Sequence, residues 1–130
     1  LTAASAYYNR GILYDKKNNT IGAIEDYTKS IELNPKYPQA YNNRGNSYGD
    51  LNKQNEAIAD YTKAIELDPK HSNAYYNRGV SSDKLMKYDE AIADYSKAIS
   101  IDPNNAYTYY NKGISLDRKG DFNQAITCFS

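Results

Sequence analysis

The chain has 130 residues, with sixteen basic residues balanced by sixteen acidic ones and a single cysteine, Cys128. That balance removes the long-range positive field on which binders of nucleic acid and of anionic membranes ordinarily rely. No apolar run approaches the ~20 residues of a membrane span and no basic-then-apolar signal pattern opens the chain, while a lone cysteine makes no intramolecular disulfide; a reducing, cytoplasmic setting fits.

The first element carries "YYNRG" at 7–11, and near-copies follow as "YNNRG" at 41–45, "YYNRG" at 75–79 and "YYNKG" at 109–113, each 34 residues after the last. Pro35, Pro69 and Pro103 keep the same step. A fixed period of this size decides architecture before secondary structure is considered. Placing the prolines near the end of each repeat gives repeats 4–37, 38–71 and 72–105 and an incomplete one, 106–130. In the first, a helix through "YYNRG" ends in the polar "KKNNT", and a second through "AIEDY" stops at "LNPKYP". In the second, Tyr41, Gly45 and Tyr48 mark one helix, and Ala57, Ile58, Tyr61, Ala64 and Ile65 mark another, all at helical spacing. "LDPKHS" and "IDPNN" end the second and third repeats, because proline cannot continue a helix and biases the residue before it away from helical dihedrals. The fourth repeat stops before its proline, which suggests a fragment, with room for an enzyme or a membrane anchor beyond it.

Gly11, Gly45, Gly79 and Gly113 lie inside helices, where glycine costs ~1 kcal/mol against alanine, so their recurrence implies close helix approach. Ala23, Ala57, Ala91 and Ala125 are expected to supply the matching small surface. Tyr27, Tyr61, Tyr95 and Phe129 would then fill the space between one helix pair and the next. Arg10, Arg44 and Arg78 stand sixteen residues before Asp26, Asp60 and Asp94, which predicts an ion pair across each helix pair. The fourth repeat has Lys112 and Cys128 at these places and should lack it.

The set Tyr41, Arg44, Gly45, Tyr48, Ala57, Tyr61, Ala64 and Pro69 returns as Tyr75, Arg78, Gly79, Ala91, Tyr95, Ala98 and Pro103, and it resembles the tetratricopeptide repeat family. The resemblance implies an all-α, right-handed α-solenoid of antiparallel helix pairs, a single array over 1–130 that works by protein–protein contact. The arginines stand where the family often has leucine, and Ser82 stands where a large residue is usual.

Nothing in the chain assembles a catalytic group. His71 is the only histidine and falls in a turn, where it reads as a solvated residue, so there is no His-based triad and no metal cluster. Cys128 reads as a small filler rather than a nucleophile, and no glycine-rich loop joins a strand to a helix. The expectation is a protein that is not an enzyme and needs no cofactor or metal.

By the same resemblance, the first helices line a concave groove. Its fifth and sixth positions are Tyr8 and Asn9, Asn42 and Asn43, Tyr76 and Asn77, Tyr110 and Asn111; Asn46 holds a ninth position. An asparagine amide both donates and accepts, so it can pair with a peptide backbone whatever its side chains. Helices pack ~8–10 Å apart and an extended peptide rises ~3.3 Å per residue, so one asparagine could hold about every third residue. The clamp by which chaperone-binding members grip a C-terminal carboxylate is missing, because its lysine and arginine places hold Tyr8 or Asn42, Asn73 or Tyr107, and Asn77 or Asn111. Signs alternate along Asp15 and Lys16, Gly49 and Asp50, Asp83 and Lys84, Asp117 and Arg118, which argues against nucleic acid. The expected partner is therefore an extended protein segment. The alternative is a structural scaffold stacking end to end, through Ala125, Ile126 and Phe129, within a larger protein or complex.

Overall fold

The computed structural model describes residues 1–130 and contains eight helices and no strand. In chain order they are α1 (Ala3–Lys16), α2 (Thr20–Leu33), α3 (Pro38–Asp50), α4 (Gln54–Leu67), α5 (Ser72–Lys84), α6 (Tyr88–Ile101), α7 (Ala106–Lys119) and α8 (Phe122–Phe129). The chain divides into two compact units, Leu1–Pro69 with α1–α4 and Lys70–Ser130 with α5–α8. In each, a helix packs against the next in sequence, and the two first helices also touch: α1 and α3 in one unit, α5 and α7 in the other.

Helix starts are set by side chains that accept a backbone N–H left over at the first turn. Thr2 accepts from Ser5, Asn19 from Gly22, Asn105 from Tyr107 and Asp121 from Gln124, while α3 begins on Pro38. His71, expected as a solvated turn residue, is half-buried and caps α5: its Nδ1 accepts the Ala74 N–H at 3.2 Å. The first helix of every repeat ends in the same way, with one residue in the left-handed region: Asn18, Asn52, Met86 and Gly120, at φ of 60°, 59°, 58° and 95°. The N–H of the next residue then turns back to a carbonyl five residues earlier, as from Asn19 to Tyr14 at 2.8 Å. Asparagine and glycine suit that backbone; methionine gains nothing there, since Met86 is 74% exposed.

The close approach implied by the glycines is real, and the nearest side chain is a tyrosine ring. A Cβ placed on Gly11, Gly45 or Gly79 would stand 2.7 Å from Cε1 of Tyr27, Tyr61 or Tyr95. Each ring therefore lies on the backbone of the first helix of its own pair and is almost fully buried there. Phe129 takes the same seat against Gly113. Ala23, Ala57 and Ala91 are also buried, in the second helices.

The arginines pair as expected. Arg10 Nε and Nη2 donate to Asp26 at 2.7 and 2.9 Å, Arg44 to Asp60 at 2.8 and 2.8 Å, and Arg78 to Asp94 at 2.8 and 2.8 Å. Each guanidinium also lies over tyrosines of its own helix: Arg10 over Tyr7 and Tyr14, Arg44 over Tyr41 and Tyr48, and Arg78 over Tyr75, with Ser82 where the second ring would be. The paired hydrogen bonds hold Arg44 above its usual pKa against the opposing effect of burial, while burial raises the Asp60 carboxyl, an effect that Arg44 only partly offsets. No such pair joins Lys112 to Cys128.

Three substitutions test this account. Asp60→Ala strands a guanidinium that is only 18% exposed, and we expect it to lower the unfolding free energy by about 2–4 kcal/mol, toward the lower end of what breaking a buried pair costs. Asp26→Ala should cost clearly less, because Arg10 is 57% exposed and can turn to water; urea titrations of both variants make the comparison. Met86→Gly should raise stability by about 0.5–1 kcal/mol, the left-handed strain relieved less the entropy that glycine adds to the unfolded chain, read as a small increase in Tm.

Candidate peptide groove

The first helices present their fifth, sixth and ninth positions on one face, and within each compact unit the polar side chains there bond to one another across repeats. In the first unit, Asn43 on α3 donates its amide to the Tyr8 hydroxyl on α1 at 3.0 Å. In the second, Asn111 on α7 donates to Tyr76 on α5 at 2.8 Å. The Tyr8 ring is held against Tyr37, with centroids 4.9 Å apart, and Tyr76 against Tyr95 at 5.9 Å. Asn43, Asn77 and Asn111 are half-buried, and Asn9 is exposed. Tyr110 is 57% exposed and leans on Phe129.

Two of the expected groove residues sit differently from the others. Asn42 is buried, at 7% exposure, because the shorter side chain does not reach outward as Tyr8, Tyr76 and Tyr110 do from the same position. Asn46 is exposed but accepts the Tyr61 hydroxyl at 2.6 Å, which ties its carbonyl oxygen to the second helix of its repeat.

The sequence pattern places Asp15 and Asp83 among the groove charges, but in the structure their main engagement is internal. Asp15 accepts the Tyr27 hydroxyl at 2.7 Å and the Ser47 hydroxyl of the next repeat at 3.1 Å. Asp83 likewise accepts from Tyr95 at 2.7 Å and from Ser115 at 2.7 Å. The signal was present, since Tyr and Ser recur twelve and thirty-two residues after each aspartate. In the second repeat Gly49 replaces the aspartate, which is why Tyr61 turns to Asn46. Burial, then the hydrogen bond to the aspartate, pushes the Tyr27 and Tyr95 hydroxyls well above the usual tyrosine range. Burial also raises Tyr8 and Tyr76, with the asparagine donors opposing it. All four therefore keep their protons at neutral pH and act as fixed hydroxyls.

Between α5 and α7 the second unit has an open hollow of about 420 Å³. Val80 and Ile114 supply apolar surface, Tyr95 and Tyr110 contribute ring edges, and Asn111, Asp83, Lys84 and Arg118 complete it. No cluster of three or more His, Cys, Asp or Glu side chains is placed to hold a metal ion, and no helix is long and apolar enough to cross a membrane.

The comparisons agree with this architecture. One profile of the tetratricopeptide repeat matches residues 4–37, 38–71 and 72–105, and a second matches 95–127. No curated protein is similar enough in sequence to count as a relative. Among solved structures, MamA superposes with a TM-score of 0.94 at 28% identity, covering 97% of this chain and 74% of its own. The first repeat domain of Spaghetti (RPAP3), solved with the HSP90 peptide SRMEEVD, has a TM-score of 0.89 at 28% identity and covers 91% of this chain and 96% of its own. The Arabidopsis OM64 domain has a TM-score of 0.86 at 29% identity, with 88% and 95% covered. The fold is thus the all-α helix-pair solenoid of these proteins.

Because Asn43 links α3 to α1, it is not energetically silent. We expect Asn43→Ala to lower stability by about 0.5–1.5 kcal/mol, Tyr8→Phe to do much the same, and the double variant to lose little more than either alone. Thermal melts of the three variants check this.

Proposed function

Since the chain belongs to the tetratricopeptide repeat family, whose repeats are protein–protein interaction modules, we propose that it binds an extended segment of a partner protein along the first-helix face of its repeats. The observation that carries this reading is the tethered asparagine. Asn111 gives one amide hydrogen to Tyr76 and lines the open hollow, so its second N–H and its carbonyl are held in a set orientation toward a ligand. Fixing a polar group before binding lowers the ordering cost that a peptide ligand would otherwise meet. Asn43 is tethered to Tyr8 in the same way in the first unit. Tyr8, Tyr76 and Tyr110 add rigid contact area beside these amides.

The RPAP3 domain was solved with an HSP90 peptide, which supports the mode of binding without transferring that ligand. The clamp places for a terminal carboxylate hold Tyr8, Asn42, Asn73, Asn77, Tyr107 and Asn111 in this chain, so an internal segment read through its backbone fits better than a chain end. The reading is of a binding module and not of an enzyme. His71 has one ring nitrogen engaged in capping α5, and no His, Lys, Asp or Glu lies within three residues of Cys128 in sequence. A cytoplasmic setting suits the lone cysteine.

The test is a peptide array probed with the whole chain, followed by affinity measurement on the hits. Short extended motifs are expected, and Asn111→Ala should weaken partners of different sequence by a similar factor, about two- to tenfold, because backbone atoms are read. Hits whose affinity ignores Asn111→Ala and Tyr110→Ala would overturn the groove. Recovery of nothing but a second copy of the chain would instead favour end-to-end stacking, for which Phe122 and Ile126, exposed on α8, offer surface.

A further inference from the structure

Four arginines occur in the chain, and three of them, Arg10, Arg44 and Arg78, are paired with the aspartate sixteen residues on. Arg118 is the exception. It lies in the last turn of α7, is exposed, and lines the hollow of the second unit together with Lys84 from the last turn of α5. Neither cation belongs to any ion pair of the structure. The one carboxylate lining the hollow, Asp83, is occupied by the hydroxyls of Tyr95 and Ser115. So the hollow combines two unpaired cations with one hydroxyl-bound carboxylate, which leaves cations in excess, together with the apolar side chains of Val80 and Ile114 and a tethered amide on Asn111.

The equivalent residues of the first unit are different. Lys84 corresponds to Lys16, but Arg118 corresponds to Asp50, so the lining of the two faces differs in sign at that place. A backbone-reading groove needs no such difference. A groove that also sorts its partners by charge does.

We infer, resting on the peptide-groove reading above, that the second unit selects an acidic segment: a Glu or Asp side chain of the bound peptide sits between Lys84 and Arg118, with a flanking apolar side chain on Val80 and Ile114. Arginine presents a planar fork matched to a carboxylate, and the lysine adds a compact second donor. A hollow of about 420 Å³ is within the size range of ligand sites, and it is open to the surface. Both cations are exposed, so the attraction is screened by salt and acts on choice among partners more than on gross affinity.

The experiment uses the whole chain and two fluorescent nine-residue peptides, acetylated and amidated to remove terminal charge, with Glu-Val-Glu or Gln-Val-Gln at the centre. Anisotropy titrations at low salt should show the Glu peptide binding about five- to twentyfold more tightly, a gap that closes as salt is raised. Arg118→Gln and Lys84→Gln should each bring the Glu peptide toward the Gln peptide, while Lys16→Gln in the first unit should not. Circular dichroism should be unchanged in all three, since these side chains are exposed. Equal affinity for the two peptides, both weakened by Asn111→Ala, would overturn the acidic selectivity and leave the groove standing. Binding of neither peptide also overturns the selectivity, and the array then decides the groove. A preference for Glu that survives both Arg118→Gln and Lys84→Gln would overturn the assignment to this hollow.

Discussion

The structure depends on an aromatic ring seated on a bare backbone. Tyr27, Tyr61 and Tyr95 each lie so close to a glycine of the facing helix that a single added carbon would stand at 2.7 Å from the ring. Close contact of this kind fixes both the distance and the rotation of the two helices of a pair, because packed interiors do not deform continuously. It also aims the hydroxyl. Seated this way, Tyr27 and Tyr95 reach Asp15 and Asp83, and these aspartates in turn receive a serine from the following repeat. One contact within a helix pair thus sets the register between pairs.

The Arg–Asp pairs add a second constraint of a different kind. A buried ion pair contributes little net stability over a well-packed apolar pair, since desolvation offsets the attraction. Its effect here is on geometry. Two parallel hydrogen bonds from Nε and Nη2 allow one relative placement of the first and second helix, and the stacked tyrosines keep the guanidinium in that plane. The fourth repeat lacks both the arginine and the aspartate, and keeps only the aromatic seat, Phe129 on Gly113.

These constraints leave a polar face on the first helices whose members are already partly committed. Asn43 and Asn111 serve the fold and the proposed groove together: each gives one hydrogen to a tyrosine, and the Asn43 carbonyl also accepts from Asn42 at 3.5 Å. Asp15 and Asp83 are drawn inward by two hydroxyls each. In the second unit this leaves the groove lining with its cations unpaired and its carboxylate engaged. Hydrogen bonds from neutral hydroxyls fix where these carboxylates sit without removing their charge.

The sequence by itself determined the 34-residue period, the helix pair in each repeat, the stops at proline, and the pairing of Arg10, Arg44 and Arg78 with aspartates sixteen residues away. These were legible because they follow from local periodicity, or from a contact within one helix pair, where the turn leaves little freedom in which residues meet. The candidate groove was legible only as a list of positions. That Asn42 is buried, that Asn46 answers Tyr61 and that Asn43 answers Tyr8 was decided by tertiary structure, as was the engagement of Asp15 by Ser47. Contacts between residues thirty-two to thirty-five apart depend on how one helix pair stacks on the next, and on side-chain length at that junction, neither of which a repeating pattern specifies. The glycines are read the same way: small size signals that something comes close, and the packed structure shows that the nearest group is the tyrosine ring of the same pair, or Phe129 in the last.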